Sequence, residues 1–315
     1  MSLARLPMSV MQKLVPGRMW ALEDALAART GAVHAVEDAP ERFEIVAEAL
    51  RRGHRPPPSL RAMPHMVASM RGILRSLRSV DCNPPRPRIE MPPGDLAALE
   101  AHARTLGVDD MGYARLAPHL VFRDKAVLYP HAIVLTMEMD KAAIDTSPGE
   151  ASYVEVHKTY HHLGRAANGL AQWLRARGYA AHAGHPLMGL ALYPPLAQQA
   201  GLGWCGMHGL LITPRFGPRV RLAAVFTSIE NLPPPPENPH AWIEDYCRLC
   251  RRCARECPPR AVLDEPLLGA NGLVTCIDVE RCFPYFVEQY GCSICIRVCP
   301  FQQRDYAGLK RHVCP

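Results

Sequence analysis

Seven cysteines stand in two runs near the end of this 315-residue chain, in a spacing that suits metal chemistry. The first run reads Cys247-x2-Cys250-x2-Cys253-x3-Cys257-Pro258, and the second reads Cys292-x2-Cys295-x3-Cys299-Pro300. A cubane iron–sulfur cluster needs four thiolates aimed at four corners. A loop with two residues between cysteines can aim three of them, and the fourth comes from elsewhere in the chain. In bacterial two-cluster ferredoxins the last cysteine of each run serves the other cluster. That rule assigns Cys247, Cys250, Cys253 and Cys299 to one 4Fe–4S cluster, and Cys257, Cys292 and Cys295 to a second. A regular second run would supply the missing ligand at position 289, where Gln289 stands. Cys282 and Cys276 are the candidates, with Cys282 preferred because it is nearer. Structural zinc also uses paired CxxC motifs. It rarely needs a third evenly spaced cysteine, and here Cys-Pro follows both runs. The reading is therefore two clusters and an electron relay.

The chain outside this tail must supply whatever the electrons reach. Its length suits about two domains. Its 48% hydrophobic and 21% charged residues are those of a globular protein, with 31 prolines as the departure. A net charge of +6 suits an acidic redox partner, an anionic cofactor or RNA, and an ordinary surface equally well. No run of about 18 apolar residues is present, so no transmembrane segment is expected. The first twenty residues, broken by proline and lysine, make a poor secretory signal and hold no twin-arginine pair. A cytoplasmic location is expected, where clustered cysteines serve as metal ligands rather than disulfides.

Before residue 80 there are three helix-like stretches. The clearest is Met66 to Leu77, with Met66, Met70, Ile73, Leu74 and Leu77 on one face and Arg71, Arg75 and Arg78 on the other. Such a helix can bind a membrane surface or a partner, but more often packs on its own domain. Proline at Pro84–Pro87 and Pro92–Pro93 reads as a linker. Residues 95–230 look like an α/β core. His131–Met137, Leu210–Thr213 and Val220–Ser228 read as strands. Tyr160, Leu163, Ala167, Leu170 and Leu174 form a helical stripe that Gly178 ends. Pro233–Pro236 reads as a stiff spacer into the tail.

Three further segments, HAIVLTMEMDKAAIDTSP (131–148), PLAQQAGLGWCGMHGLLITPRFGPRVRLAAVFTSIE (195–230) and ERCFPYFVEQYGCSICIRVCPF (280–301), carry a resemblance. Together with the first cysteine run they resemble the cobalamin-dependent reductive dehalogenases and the related epoxyqueuosine reductases, in the family's order across roughly 110–302. Residues 1–90 show no such resemblance and read, from their helix-like stretches, as an N-terminal helical extension. For the rest the resemblance implies an α+β fold in two parts. Residues 91–236 would be a nitroreductase-like α/β core holding cobalamin. Residues 237–315 would be a ferredoxin-like domain with two 4Fe–4S clusters. It places the cofactor against Gly201, Gly203, Trp204, Cys205, Gly206, His208, Gly209 and Leu210. Glycines there would let backbone approach a flat corrin closely, although a helix-to-strand turn uses glycine too. Cys205 either touches the corrin or is a buried apolar thiol.

The resemblance also implies a proton-donating tyrosine helped by a basic residue. Tyr160 falls on the first and Arg221 on the second. A guanidinium beside a phenol stabilises the phenolate left when the proton departs. Alternatively, Tyr160 is a core tyrosine at the head of its helix, and Arg221 pairs with a surface carboxylate. Epoxyqueuosine reductases carry an aspartate where Lys158-Thr159-Tyr160-His161 has Thr159, and a C-terminal helical extension that is not seen here, so tRNA is an unlikely substrate on this reading. HAGHPLMG before the PLA segment differs from the dehalogenases, and His182 and His185 either face the substrate cavity or are loop histidines. The expected protein is a cobalamin- and iron–sulfur-dependent reductase of an electrophilic, possibly halogenated, small organic substrate. It would draw on an external donor such as a ferredoxin, a flavodoxin or a reductase. The rivals are an epoxyqueuosine (tRNA) reductase and an electron-transfer or cobalamin-handling protein without its own substrate. Cys82, Cys276 and Cys314 have no role assigned.

Overall fold

The computed structural model describes residues 16–42, 48–49, 51–233 and 237–311. Pro234–Pro236 of the expected spacer, and Cys314, lie outside the described residues.

Four strands form an antiparallel sheet: β1 (Asp110–Arg115), β2 (His131–Glu138), β3 (Ala181–Gly184) and β4 (Val220–Thr227), in the order β1-β2-β4-β3. The apolar run in β2 is explained by its central place, where residues 132–137 are all buried because both faces are covered. Alternation sorts the strands cleanly. Odd-numbered Ile133, Leu135, Ala223 and Val225 pack against Leu163, Ala167, Leu170 and Leu174 of the long helix α4 (Glu150–Ala176). Even-numbered Ala132, Val134, Ala224 and Phe226 form a second cluster with residues of α1 (Pro16–Ala27), α2 (Met63–Ser79) and α5 (Tyr193–Gln199). Helix α3 (Pro93–Thr105) adds Leu99 and Ala103 to the first cluster.

The amphipathic helix expected at 66–77 is α2, and its apolar face is turned inward: Ile73 and Leu77 are buried in the second cluster. The proline-punctuated stretch after it does not span open space. The Arg88 N–H donates to the Gly178 carbonyl at 2.9 Å, and the Met91 N–H to Asn231 Oδ1 at 2.8 Å. That stretch is a strap held along the sheet edge, where proline's missing donor costs nothing.

The cysteine-rich tail contains α6 (Trp242–Cys250), a hairpin of β5 (Val262–Leu268) and β6 (Val274–Ile277), α7 (Val279–Glu288), and short helical turns at Ile294–Arg297 and Pro300–Gln303. It is keyed into the sheet unit by polar contacts. The Ser293 N–H donates to Ser147 Oγ at 2.8 Å, and Gln302 Nε2 donates to Asp145 Oδ1 at 2.7 Å. A methyl group at Gly217 would come within 2.5 Å of the Phe301 carbonyl, so the two parts touch backbone to backbone.

Candidate functional site

The tail folds the two cysteine runs so that they interleave. Cys247, Cys250, Cys253 and Cys299 line one cavity, and Cys299 lies within electrostatic reach of the other three. Burial pushes the thiols of Cys247 up to about 11 and Cys253 up to about 12, reinforced by neighbouring sulfurs. Backbone N–H groups of Met207 and Phe301 point at Cys247 and Cys299. Around the second run, Cys282 is held up to about 11 by burial and then by Cys257 and Cys292. Cys295 feels Cys292, Cys253, Cys282 and Cys257. Cys282, on α7, thus faces the second group. Cys276, on β6, faces away from it. Its sulfur accepts from the Gly209 N–H and sits near Cys205 and Cys247.

A metal centre binds cysteine as thiolate, so binding one here would release the thiol protons. Zinc at about 2.3 Å from each sulfur would hold sulfurs about 3.8 Å apart. Among the described residues no three of these sulfurs lie within 4.8 Å of one another. Wider spacing suits a cube with sulfurs at its corners. The groups adjoin through Cys253 and Cys295, which flank one apolar cluster with Met207, Ala254 and Val262.

Arg221 follows Ala223 and Val225 onto the α4 face of the sheet, opposite Met137 in register. Tyr160 lies in the stripe of α4 that faces the same way. It stands mid-helix rather than at the head, because the helix starts at Glu150. The Arg221 guanidinium carbon is 4.7 Å from the Tyr160 ring centroid, over its face. Arg221 Nε is buried without a hydrogen-bond partner, and among the described residues Arg221 pairs with no carboxylate. Tyr160 and Arg221 line one cavity of about 140 Å³ with Tyr193, Leu210, Leu211 and Ile296. Ile296 is next in the chain to Cys295, and Tyr160 and Cys295 pack against one small cluster. The second cysteine group therefore stands at the cavity's edge.

Sequence reasoning missed His157, one helical turn before Tyr160, although the i−3 spacing signals it. Its ring centroid is 6.1 Å from Tyr160 and 4.4 Å from Tyr153. Burial, then the charge of Arg221, hold it down to about 4, so it is neutral at pH 7. Thr159 is buried and donates to the Glu155 carbonyl at 3.0 Å.

Other expected residues fall elsewhere. His182 lies in β3, fully buried, with neither ring nitrogen partnered. His185 is wedged between α2 and α4, beside Gly72 and Gly164. Neither lines the cavity: His182 belongs to a strand, and His185 is a loop histidine, but a buried one. Trp204–Cys205 pairs with Leu211–Ile212 in a small hairpin. A methyl group at Gly203 would lie 2.1 Å from the Ile212 carbonyl oxygen, so the hairpin itself requires that glycine, and one at Gly206 would meet the end of the Ile212 side chain at 2.6 Å. Gly209 has φ +73° and abuts Cys276. Gly201 has φ +74° and closes the turn after α5. His208 is buried beside the first cysteine cavity. Its Nδ1 accepts from the Leu210 N–H at 3.2 Å, and its Nε2 has no partner. Of residues 201–210, Leu210 lines the Tyr160 cavity.

No model of a known protein family matches the chain. A tetrachloroethene reductive dehalogenase of Desulfitobacterium hafniense is 34% identical over 240 residues, covering 70% of this chain and 41% of that protein. An epoxyqueuosine reductase of Gloeobacter violaceus is 28% identical over 185 residues, covering 55% of this chain and 56% of that one. Among solved structures, the catabolic reductive dehalogenase NpRdhA in complex with 3-bromo-4-hydroxybenzoic acid matches with a TM-score of 0.63 at 23% identity, over 77% of this chain and 38% of that one. The chain is thus similar in sequence to reductive dehalogenases and epoxyqueuosine reductases, as its motifs led us to expect, and it shares the fold of the former. It spans less than half the length of the reductive dehalogenase it matches.

Proposed function

We propose that this chain is a cobalamin- and iron–sulfur-dependent oxidoreductase of the reductive dehalogenase group, removing halogen from a small organic molecule. One observation carries the reading: a group of four half-buried cysteines stands at the edge of a cavity in which a guanidinium covers a tyrosine ring. Electron delivery and proton delivery meet there. Converting a carbon–halogen bond to carbon–hydrogen takes two electrons and one proton and releases halide. Similarity to the dehalogenases over 70% of the chain supports the same reading.

In this reading residues 91–236 form the nitroreductase-like core and residues 237–315 the ferredoxin-like part. Cys247, Cys250, Cys253 and Cys299 hold one 4Fe–4S cluster, and Cys257, Cys282, Cys292 and Cys295 hold the other. The cavity of about 140 Å³ has room for a small substrate and not for a corrin. The segment 201–210 beside it would hold the cobalamin, with the orphaned Arg221 Nε as a donor to it or to the substrate. When bound there, reduced cobalamin would supply a strong nucleophile or electron donor toward a carbon–halogen bond. Tyr160 gives its proton to the carbon, and Arg221 stabilises the phenolate left behind. His157, neutral beside them, adds no competing positive charge. The donor is an external ferredoxin, flavodoxin or reductase. The cytoplasm, where thiols stay reduced, is the proposed location. Among the described residues no helix is long and apolar enough to cross a membrane.

The rival is tRNA epoxyqueuosine reduction, which the Gloeobacter relative's name raises. Thr159, engaged inside its own helix, offers no acid to the cavity. The deciding experiment supplies anaerobic, cobalamin-loaded protein with a low-potential reductant and a panel of halogenated phenols and alkenes. Halide release that requires both iron and cobalamin is expected. No halide from any of them, with conversion of epoxyqueuosine-containing tRNA, would reverse the ranking.

A further inference from the structure

Outside the cysteine groups and the Tyr160 cavity, the described residues hold one other convergent set of metal-ligating side chains: His65 on α2, with His161 and His162 on α4. One ring nitrogen from each lies within 4.8 Å of the other two. His65 Nδ1 and His161 Nδ1 are 3.3 Å apart. Ring centroids are 5.1 to 6.1 Å apart and the planes are inclined by 43°, 58° and 82°, so no two rings stack. The rings splay outward while their nitrogens converge. Adjacent residues on a helix diverge by about 100°. His65 reaches from the facing helix into the gap between them.

Hydrogen bonding alone leaves this set incomplete. One N–H···N bond joins His65 to His161, and no bond among the described residues engages a ring nitrogen of His162. The charges around them are cationic, from Arg165 and Lys158. Burial and those neighbours hold His161 and His162 below the ordinary histidine range. A divalent ion would take the lone pairs of neutral imidazoles, replacing the His65–His161 bond. Zinc bound at about 2.0–2.1 Å from two imidazole nitrogens in a tetrahedron holds them about 3.4 Å apart, close to the spacing found.

We propose that His65, His161 and His162 form a three-histidine site for a divalent transition metal of the zinc class, joining α2 to α4, with its fourth position open to solvent. The three residues are half-buried, so the ion has a route in and water has a place on it. An all-nitrogen set favours zinc, copper, nickel or cobalt over magnesium and calcium, which take oxygen. The metal would fasten the segment before residue 90 to the turn of α4 that carries Tyr160. The proposal is independent of the iron–sulfur and cobalamin reading.

The test adds zinc sulfate to the anaerobic, cluster-containing protein, removes loose ions with a weak chelator, and measures zinc and iron together. Zinc K-edge absorption then reports the ligands. The expected result is about one zinc per chain without loss of iron, with nitrogen or oxygen scattering near 2.0–2.1 Å and no sulfur near 2.3 Å. His65→Asn and His161→Asn, checked for unchanged iron content and helix signal, should each weaken zinc binding about 100-fold or more. Zinc should raise the thermal midpoint of the parent protein and not of the variants. No retained zinc, a sulfur shell with loss of iron, or full binding by both variants would each overturn the proposal.

Discussion

Tyr160→Phe removes one hydroxyl and keeps the ring under the Arg221 guanidinium. Turnover should fall by about 10²–10⁴, the range for positioned acid catalysis, while cluster spectra and cobalamin content survive. Arg221→Met removes the charge with little loss of length and should also cost turnover. The double variant should be little worse than the slower single one, because both residues serve one proton transfer. Additive losses in steady-state rates would separate their roles. The cysteines allow a second check by iron analysis and electron paramagnetic resonance. Cys282→Ser should damage one cluster and Cys276→Ser neither, since Cys282 faces Cys257 and Cys292 while Cys276 accepts from Gly209. Seven of the eight cysteines follow from run spacing alone. The eighth does not, because Gln289 stands at its place in the second run; chain distance favoured Cys282 over Cys276, and α7 turns Cys282 toward Cys257 and Cys292. The contact of Tyr160 with Arg221 needed the family resemblance, because 61 residues separate them in sequence and only the register of β4 against α4 joins them.

At the scale of elements, α4 is the scaffold of the site, and its first ten residues were not legible. They bury Ser152, Glu155 and Thr159, so the apolar stripe begins only near Tyr160. The strands β2 and β4 were legible because burial on both faces leaves plain apolar runs. The strap after α2 was not, since proline in a linker and proline along a sheet edge look alike in sequence. Close packing of α2, α4 and the end of β3 depends on His185 filling the space that glycine leaves. A methyl group at Gly164 would lie 2.0 Å from His185 Nε2, so Gly164→Ala should destabilise by about 1–3 kcal/mol in urea unfolding. An unchanged midpoint would mean that the wedge is not rigid. His182, deep in β3, gives the element a pH signature. Burial holds it down to about 4, against about 6.5 when unfolded. The folded state binds fewer protons between those values, so its stability is full above pH 6.5. It is lost as pH falls toward 4, by up to about 1.4 kcal/mol per pH unit. His182→Leu should flatten that acid dependence by about one proton in unfolding curves taken from pH 7 to 5.

At the scale of the whole molecule, the proposed clusters would form a route for electrons from the tail to the cavity of the sheet unit. The first cysteine group adjoins the second at Cys253 and Cys295, and the second adjoins the cavity at Ile296. Contacts such as Gln302 to Asp145 and Ser293 to Ser147 fix that order, because they lock the tail against the turn that precedes α4. The central claim is that two clusters feed a cobalamin beside Tyr160. It is tested most directly by measuring iron, zinc, cobalt and corrin in anaerobically purified protein reconstituted with cobalamin, with electron paramagnetic resonance on the same sample. The expected result is about eight iron atoms and about one corrin per chain, with a base-off cobalt signal. Zinc in the cysteine groups with little iron, or intact clusters that bind no cobalamin, would contradict it.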